Sequence, residues 1–78
     1  MYKWKNALKS GREIEFEYNN RIYFIGNYDE GRCISNDENK EVTKYYTDID
    51  LFLDEASIGK CLLSELIESD SAKIITIF

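Results

Sequence analysis

The chain of 78 residues contains no histidine and no proline, and it has only two cysteines and four glycines. Without histidine it has no Ser-His or Cys-His nucleophile pair, no imidazole ligand for zinc and no imidazole base for neutral pH. Cys33 and Cys61 are too few for a tetrathiolate zinc site, and neither lies in a Cys-x-x-Cys redox motif. We interpret both as reduced, structural thiols.

The glycines are isolated, at positions 11, 26, 31 and 59. Dinucleotide and triphosphate sites of the usual kinds need clustered glycines, so these sites are excluded. If Gly31 were the sixth residue of an EF-hand loop, Gly26 and Tyr28 would stand where oxygen ligands belong, so calcium is not indicated there. We therefore predict no cofactor and no metal.

Long apolar runs are also absent, and none approaches the roughly 20 residues that cross a bilayer. The first residues, Met1-Tyr2-Lys3-Trp4-Lys5, lack the apolar core of a signal peptide. We expect a cytoplasmic protein with no membrane partner.

Acidic residues exceed basic ones, fifteen to ten, and the formal net charge is −5. Binding to a phosphate backbone needs clustered Lys and Arg, so direct binding to nucleic acid is not expected. The same charge suits a larger protein with a basic surface, including the nucleic-acid groove of such a protein, and would speed their encounter.

Length and pattern predict a single α+β domain over residues 1–78, with an antiparallel meander of four to five strands. A short N-terminal helix carries Trp4, Ala7 and Leu8 at helical spacing and ends at Gly11. The remaining expected elements are a hairpin over 13–25, strands over 32–36 and 42–47, a helix capped by Thr47 or Asp48, a helix over 60–68 and a strand over 72–78.

The hairpin is the clearest pattern, because three glutamates alternate with Ile14, Phe16 and Tyr18. Asn19-Asn20 suits a two-residue type I′ turn, which pairs Phe16 with Tyr23. Directly opposed side chains share a face, so the other face carries Glu15 beside Phe24 and Glu17 beside Ile22.

These two faces also suggest where the strands lie. The first strand, with its glutamate row, suits an edge or a partly solvated position, and the second strand, apolar on both faces, suits the interior. The closing strand, residues 72–78, is almost continuously apolar and is expected to be buried.

The carboxylates are the remaining candidates for chemistry. Glu13, Glu15 and Glu17 are about 7 Å apart along one strand face, a spacing compatible with an acid-base pair. Such a row more commonly solubilises an exposed strand, so we predict that the chain is not an enzyme. The acids around the second helix, Asp48, Asp50, Asp54 and Glu55, offer oxygen ligands to a cation but are better explained by the helix dipole.

Tyrosine is over-represented, with six copies, five of them on predicted strands or strand ends. Most are expected to pack in the core with solvated hydroxyl groups. A tyrosine-bearing sheet beside carboxylates also suits a protein-binding surface or a platform on which bases stack.

Three parts of the sequence carry a resemblance: the run Gly11-Arg12-Glu13-Ile14-Glu15-Phe16-Glu17-Tyr18-Asn19-Asn20, the later Ile58-Gly59-Lys60 and the closing Ile-Phe. In these parts the chain resembles small uncharacterised proteins of Gram-positive bacteria and their phages. The resemblance spans nearly the whole chain and implies no particular activity. In size, acidity and lack of a catalytic motif, the chain is also similar in kind to phage anti-defence proteins, including anti-CRISPR inhibitors that occupy nucleic-acid grooves.

The leading hypothesis is a non-catalytic inhibitor or regulator, encoded by a phage or mobile element, of a host defence or nucleic-acid-processing protein. The expected partner-binding residues are Glu13, Glu15, Glu17 and Phe24 on the hairpin and Asp48, Asp50, Asp54 and Glu55 on the helix. The alternative is a homo-oligomer that sequesters a small nucleotide-like ligand through Tyr45, Tyr46, Arg21 and Arg32.

Overall fold

The computed structural model describes residues 1–78, in which three helices cover one face of a four-stranded antiparallel sheet. The elements are α1 (Tyr2–Lys9), β1 (Ile14–Tyr18), β2 (Arg21–Tyr28), β3 (Gly31–Asn36), α2 (Ile49–Glu55), β4 (Ser57–Ile58), β5 (Cys61–Leu62), α3 (Leu63–Glu68) and β6 (Lys73–Ile77). The main sheet has the order β3-β2-β1-β6, and β4 and β5 form a separate two-stranded sheet. The predicted α+β class with an N-terminal helix is confirmed.

The hairpin of β1 and β2 has the predicted register, with Phe16 opposite Tyr23 and Glu15 opposite Phe24. Asn19 and Asn20 connect the strands with φ angles of 54° and 63°. Both angles are positive, as a type I′ turn requires, and asparagine tolerates that conformation better than most residues do.

The positions of two strands differ from the prediction. β1 lies inside the sheet between β2 and β6, because Glu15 also pairs with Thr76 and Phe16 with Ile74. β6 is an edge strand, and Ile75 on it is 50% exposed. The glutamates of β1 mark an uncovered face of the sheet, not an uncovered edge, and the apolar run of β6 reflects strand propensity more than burial.

The predicted strand over 42–47 is wrong. Arg32 and Tyr46 exchange two main-chain hydrogen bonds of 2.7 and 2.8 Å, so the segment does run along the edge of β3. Two residues further along β3, the Ile34 N–H donates to the Thr43 hydroxyl at 3.1 Å. A side-chain oxygen thus takes the place of a main-chain carbonyl, which interrupts the ladder.

Asp48 caps α2, because its carboxylate accepts the Leu51 N–H at 3.1 Å. The helix expected over 60–68 begins only at Leu63. The two residues before it pair with β4 around a turn at Gly59, whose φ is 63°. Glycine at this left-handed position lets the chain reverse before the helix starts.

One core of seventeen buried residues fills the space between the helices and one sheet face. The Trp4 ring of α1 packs edge-on against Phe16, with centroids 5.3 Å apart. The Phe52 ring of α2 packs in the same way against Tyr46 at 5.6 Å. Since all three helices lie on this side, the other sheet face is left without a helix.

Candidate functional site

We use the name open face for the side of the main sheet that points away from the helices. Side chains alternate along a strand, so the neighbours of the buried Ile14 and Phe16 must point to that side. The open face consists of Glu13, Glu15, Glu17, Ile22, Phe24, Tyr28, Cys33, Ser35, Lys73, Thr76 and Phe78. It includes all four of the hairpin residues that the sequence predicted to bind a partner.

The glutamates of the open face differ in what they contact. The Glu13 carboxylate accepts the Asn27 N–H at 2.8 Å and so helps to join β1 to β2. Glu15 is half-buried and Glu17 exposed, and neither side chain has a hydrogen bond or a cation within 4.0 Å. Lys73 is opposite Glu17 in register but is not within ion-pairing distance. Glu15 and Glu17 are therefore the carboxylates available to a partner.

An aromatic pair lies beside these carboxylates. The Phe24 ring meets the Phe78 ring edge to face, with centroids 5.9 Å apart and an angle of 68° between the planes. Phe78 is 59% exposed. The sequence identified Phe24 but missed Phe78, because only the pairing of β6 with β1 brings Phe78 to this face.

A second aromatic pair lies at the end of the open face nearest β3. Tyr28 and Tyr45 meet edge to face at 5.7 Å. The Tyr28 ring lies over Gly26, where an added Cβ would be only 2.3 Å from it. The Tyr45 hydroxyl donates to Glu41 at 2.5 Å, and this hydrogen bond raises the pKa of Tyr45 to about 12.

The predicted acids of α2 are on the helix side of the sheet, away from the open face. Asp48 is used as the helix cap. Asp50 pairs with Lys9 and Lys5, each at 3.3 Å, and the two ammonium groups lower the pKa of Asp50. Asp54 and Glu55 are exposed. The eight expected partner-binding residues thus divide into two groups on opposite sides of the molecule.

The residues of the alternative ligand site are not brought together within one chain. Arg21 pairs with Asp37 at 2.9 Å near the start of β2, whereas Arg32 is opposite Asn27 near the end of that strand. Six residues of strand place the two arginines about 20 Å apart. Tyr46 is buried in the core, whereas Tyr45 packs at the open face.

The two thiols are both free. Cys33 is buried, and its Sγ is 3.2 Å from the Thr43 carbonyl oxygen, to which it donates. Burial raises the pKa of Cys33. Cys61 is half-buried, and its Sγ accepts the Tyr18 hydroxyl at 3.8 Å. No group of three or more Cys, Asp or Glu side chains is placed to hold a metal ion.

None of the three helices is long and apolar enough to cross a membrane. No protein-family model matches the chain, and neither curated proteins nor solved structures give a match. Function must therefore be inferred from the residues of the open face and of the cavities themselves.

Proposed function

We propose that the protein is a non-catalytic, acidic binding module that attaches the open face of its sheet to a basic surface of a larger protein. The observation that carries the proposal is the combination of two unpaired carboxylates, Glu15 and Glu17, with the ring pair of half-buried Phe24 and exposed Phe78. Aromatic anchors surrounded by charge are typical of protein-binding surfaces.

The charge of the chain supports a basic partner. A formal net charge of −5 attracts a positively charged surface over a distance of about 8 Å at physiological salt. Such attraction mainly accelerates association and selects the partner, whereas the buried aromatic contact slows dissociation. Binding should therefore weaken as salt is added.

We assign the partner to proteins of host defence or nucleic-acid processing, because their nucleic-acid grooves are basic surfaces of the required kind. The resemblance to phage proteins of Gram-positive bacteria supports this assignment. The protein would inhibit or regulate its partner by covering the groove, with Glu15 and Glu17 taking the places of phosphate groups.

The test is affinity capture from a Gram-positive host lysate with two matched charge reversals. Glu15→Lys with Glu17→Lys changes the open face, and Asp54→Lys with Glu55→Lys changes the helix side. Each pair moves the formal net charge from −5 to −1, so net charge alone cannot separate them. We expect a protein with a basic surface to be captured by the wild type and the helix-side variant, and lost with the open-face variant.

Equal loss with both variants, or retention by the open-face variant, would overturn the assignment of the face. A further arm adds excess duplex DNA and, separately, excess RNA to the lysate. Release of the captured protein by either polyanion would support occupation of a nucleic-acid groove. Retention against both would reject that part of the proposal while leaving protein binding by the open face in place.

A further inference from the structure

Arg32 is buried on the helix side of the sheet and is only 3% exposed. Its guanidinium group donates to three main-chain carbonyl oxygens: Leu8 at 2.8 Å, Arg12 at 2.7 Å and Gly26 at 3.4 Å. No carboxylate lies within 4.0 Å of it, since the ion pairs of the structure involve other residues. Arg32 is thus a buried cation without a counter-ion.

Neutral carbonyl groups accept hydrogen bonds from the two terminal nitrogens of Arg32, but they balance its charge only in part. Leu8 lies in the last turn of α1, where the helix dipole contributes a partial negative charge of about 0.5. Burial lowers the pKa of Arg32, against a weaker opposing effect of Glu13. The region around this guanidinium therefore remains positive and would be stabilised by an anion.

A cavity of about 540 Å³ adjoins Arg32. It lies between the end of α1, the turn from β2 to β3 and the residues before α2, and this volume is within the range of small-molecule sites. Its lining includes Arg32, Lys9, Asn27, Tyr28, Asp29 and Thr47.

The Nε–H of Arg32 is the donor left for a ligand. It makes no hydrogen bond within the protein, whereas both terminal nitrogens do. Every fully buried side-chain polar atom in the structure has a hydrogen-bond partner. Nε therefore retains some exposure, and Arg32 is among the residues that line the adjoining cavity.

We propose that this cavity binds a small phosphate ester, with the phosphate group accepting the Arg32 Nε–H. Lys9 supplies the second positive charge, because Asp50 is shared between the ammonium groups of Lys9 and Lys5, each at 3.3 Å, and one carboxylate cannot neutralise both. Two cations match a phosphate dianion, and the apolar residues of the lining offer a wall for the esterified group. Asp29, the carboxylate in the lining, is exposed at the β2–β3 turn, where solvent screens its charge.

The test is a titration of the intact protein followed by ¹⁵N NMR of its arginine Nε–H groups. The probes are inorganic phosphate, adenosine 5′-monophosphate (AMP) and sodium chloride at matched ionic strength. We expect a saturable shift of Arg32 with phosphate or AMP and none with chloride. Arg12 and Arg21 are exposed and serve as internal controls. Tighter binding of AMP than of phosphate would support an ester, whereas equal affinity would reject the ester and leave a phosphate site.

Two surface variants test the geometry without removing Arg32. Lys9→Gln should weaken binding about two- to fivefold, as expected for the loss of an exposed ion pair. Lys3→Gln is the control, because Lys3 lies on α1 but outside the cavity lining, and it should leave binding unchanged. Thr47→Glu brings a carboxylate to the cavity wall and should abolish the Arg32 shift, whereas Thr47→Gln should retain it. An unsaturable shift, or one shared equally by the three arginines, would overturn the proposal. Such a failure would leave the open face untested and intact, because the two sites share only Tyr28.

Discussion

Phe24 of β2 and Phe78 after β6 meet across β1, with ring centroids 5.9 Å apart, although they are 54 positions apart in the chain. Glu15 lies on the same face, where it pairs with Phe24 on one side and with Thr76, two residues before Phe78, on the other. The chain therefore builds an aromatic and acidic surface from three adjacent strands, which is the arrangement that the proposed binding requires.

Removing one ring of this pair should affect stability moderately. Phe24→Ala deletes a half-buried ring and its edge-to-face contact, so we expect a loss of about 1–2 kcal/mol in the free energy of unfolding. Urea denaturation monitored by circular dichroism measures the change. Ile75→Ala is the matched control on the exposed edge strand and should change stability by less than about 0.5 kcal/mol. Equal losses in the two variants would contradict the packed ring pair.

Two glycines with positive φ should respond very differently to alanine. At Gly31 the φ is 124°, and a Cβ would lie 2.4 Å from the Tyr46 carbonyl oxygen, which belongs to the main chain and cannot move aside easily. Gly59 has a φ of 63° with open space around it. We expect Gly59→Ala to cost about 1 kcal/mol and Gly31→Ala about 3 kcal/mol or more. Urea midpoints that shift equally would refute the close approach of residues 31 and 46.

The Thr43 hydroxyl should be important for stability because it replaces a strand carbonyl. It accepts the Ile34 N–H at 3.1 Å and donates to the Lys44 carbonyl at 2.8 Å. Thr43→Val keeps the shape but leaves a buried N–H without a partner, at an expected cost of about 1–3 kcal/mol. Thr76→Val serves as the control, because the Thr76 hydroxyl makes no hydrogen bond within the protein. Thermal unfolding of both variants distinguishes them, and unchanged stability of Thr43→Val would count against this contact.

The ion pairs of Asp50 should contribute stability only above acidic pH. Lys9 and Lys5 lower the pKa of Asp50 in the folded protein, so folding favours its charged form. This contribution is present above the unfolded pKa of about 3.9 and disappears as the pH falls through the lower folded value. We expect Asp50→Asn to reduce the Tm slightly at pH 7, less so in high salt, and less again at pH 2. A reduction of the same size at both pH values would show that the pairs do not act through charge.

Local patterns in the sequence were sufficient to predict the hairpin. The alternation of Glu15 and Phe16 with their neighbours specifies which side chains share a face of the sheet. The Asn-Asn turn, which tolerates positive φ, specifies the register of the two strands. The cap at Asp48 is equally local, because a carboxylate accepts an N–H three residues later. These features depend only on contacts between near neighbours in the chain.

The predictions that were wrong or incomplete depend on contacts between residues far apart in the chain. The position of β6 at the edge, beside β1, depends on pairing between residues 14–17 and 73–77, for which a single sequence gives no signal. The predicted strand over 42–47 does not form, because the Thr43 hydroxyl accepts the Ile34 N–H in place of a main-chain carbonyl. Because the pairing of β6 with β1 could not be predicted, Phe78 was missed as part of the candidate site. The acids of α2 were assigned to the same binding surface as the hairpin, although they lie on the other side of the sheet.

We propose that the open face, and not the helix side, touches a protein partner. Photocrosslinking from a benzophenone amino acid placed at Ile22 or at Asp54 tests this claim in a Gram-positive host lysate. Ile22 lies on the open face beside Glu17, and Asp54 is exposed on α2. We predict a defined crosslinked protein with a basic surface from position 22, absent from position 54 and reduced in high salt. A crosslink from position 54 alone, or the same product from both positions, would rule out the open face as the binding surface.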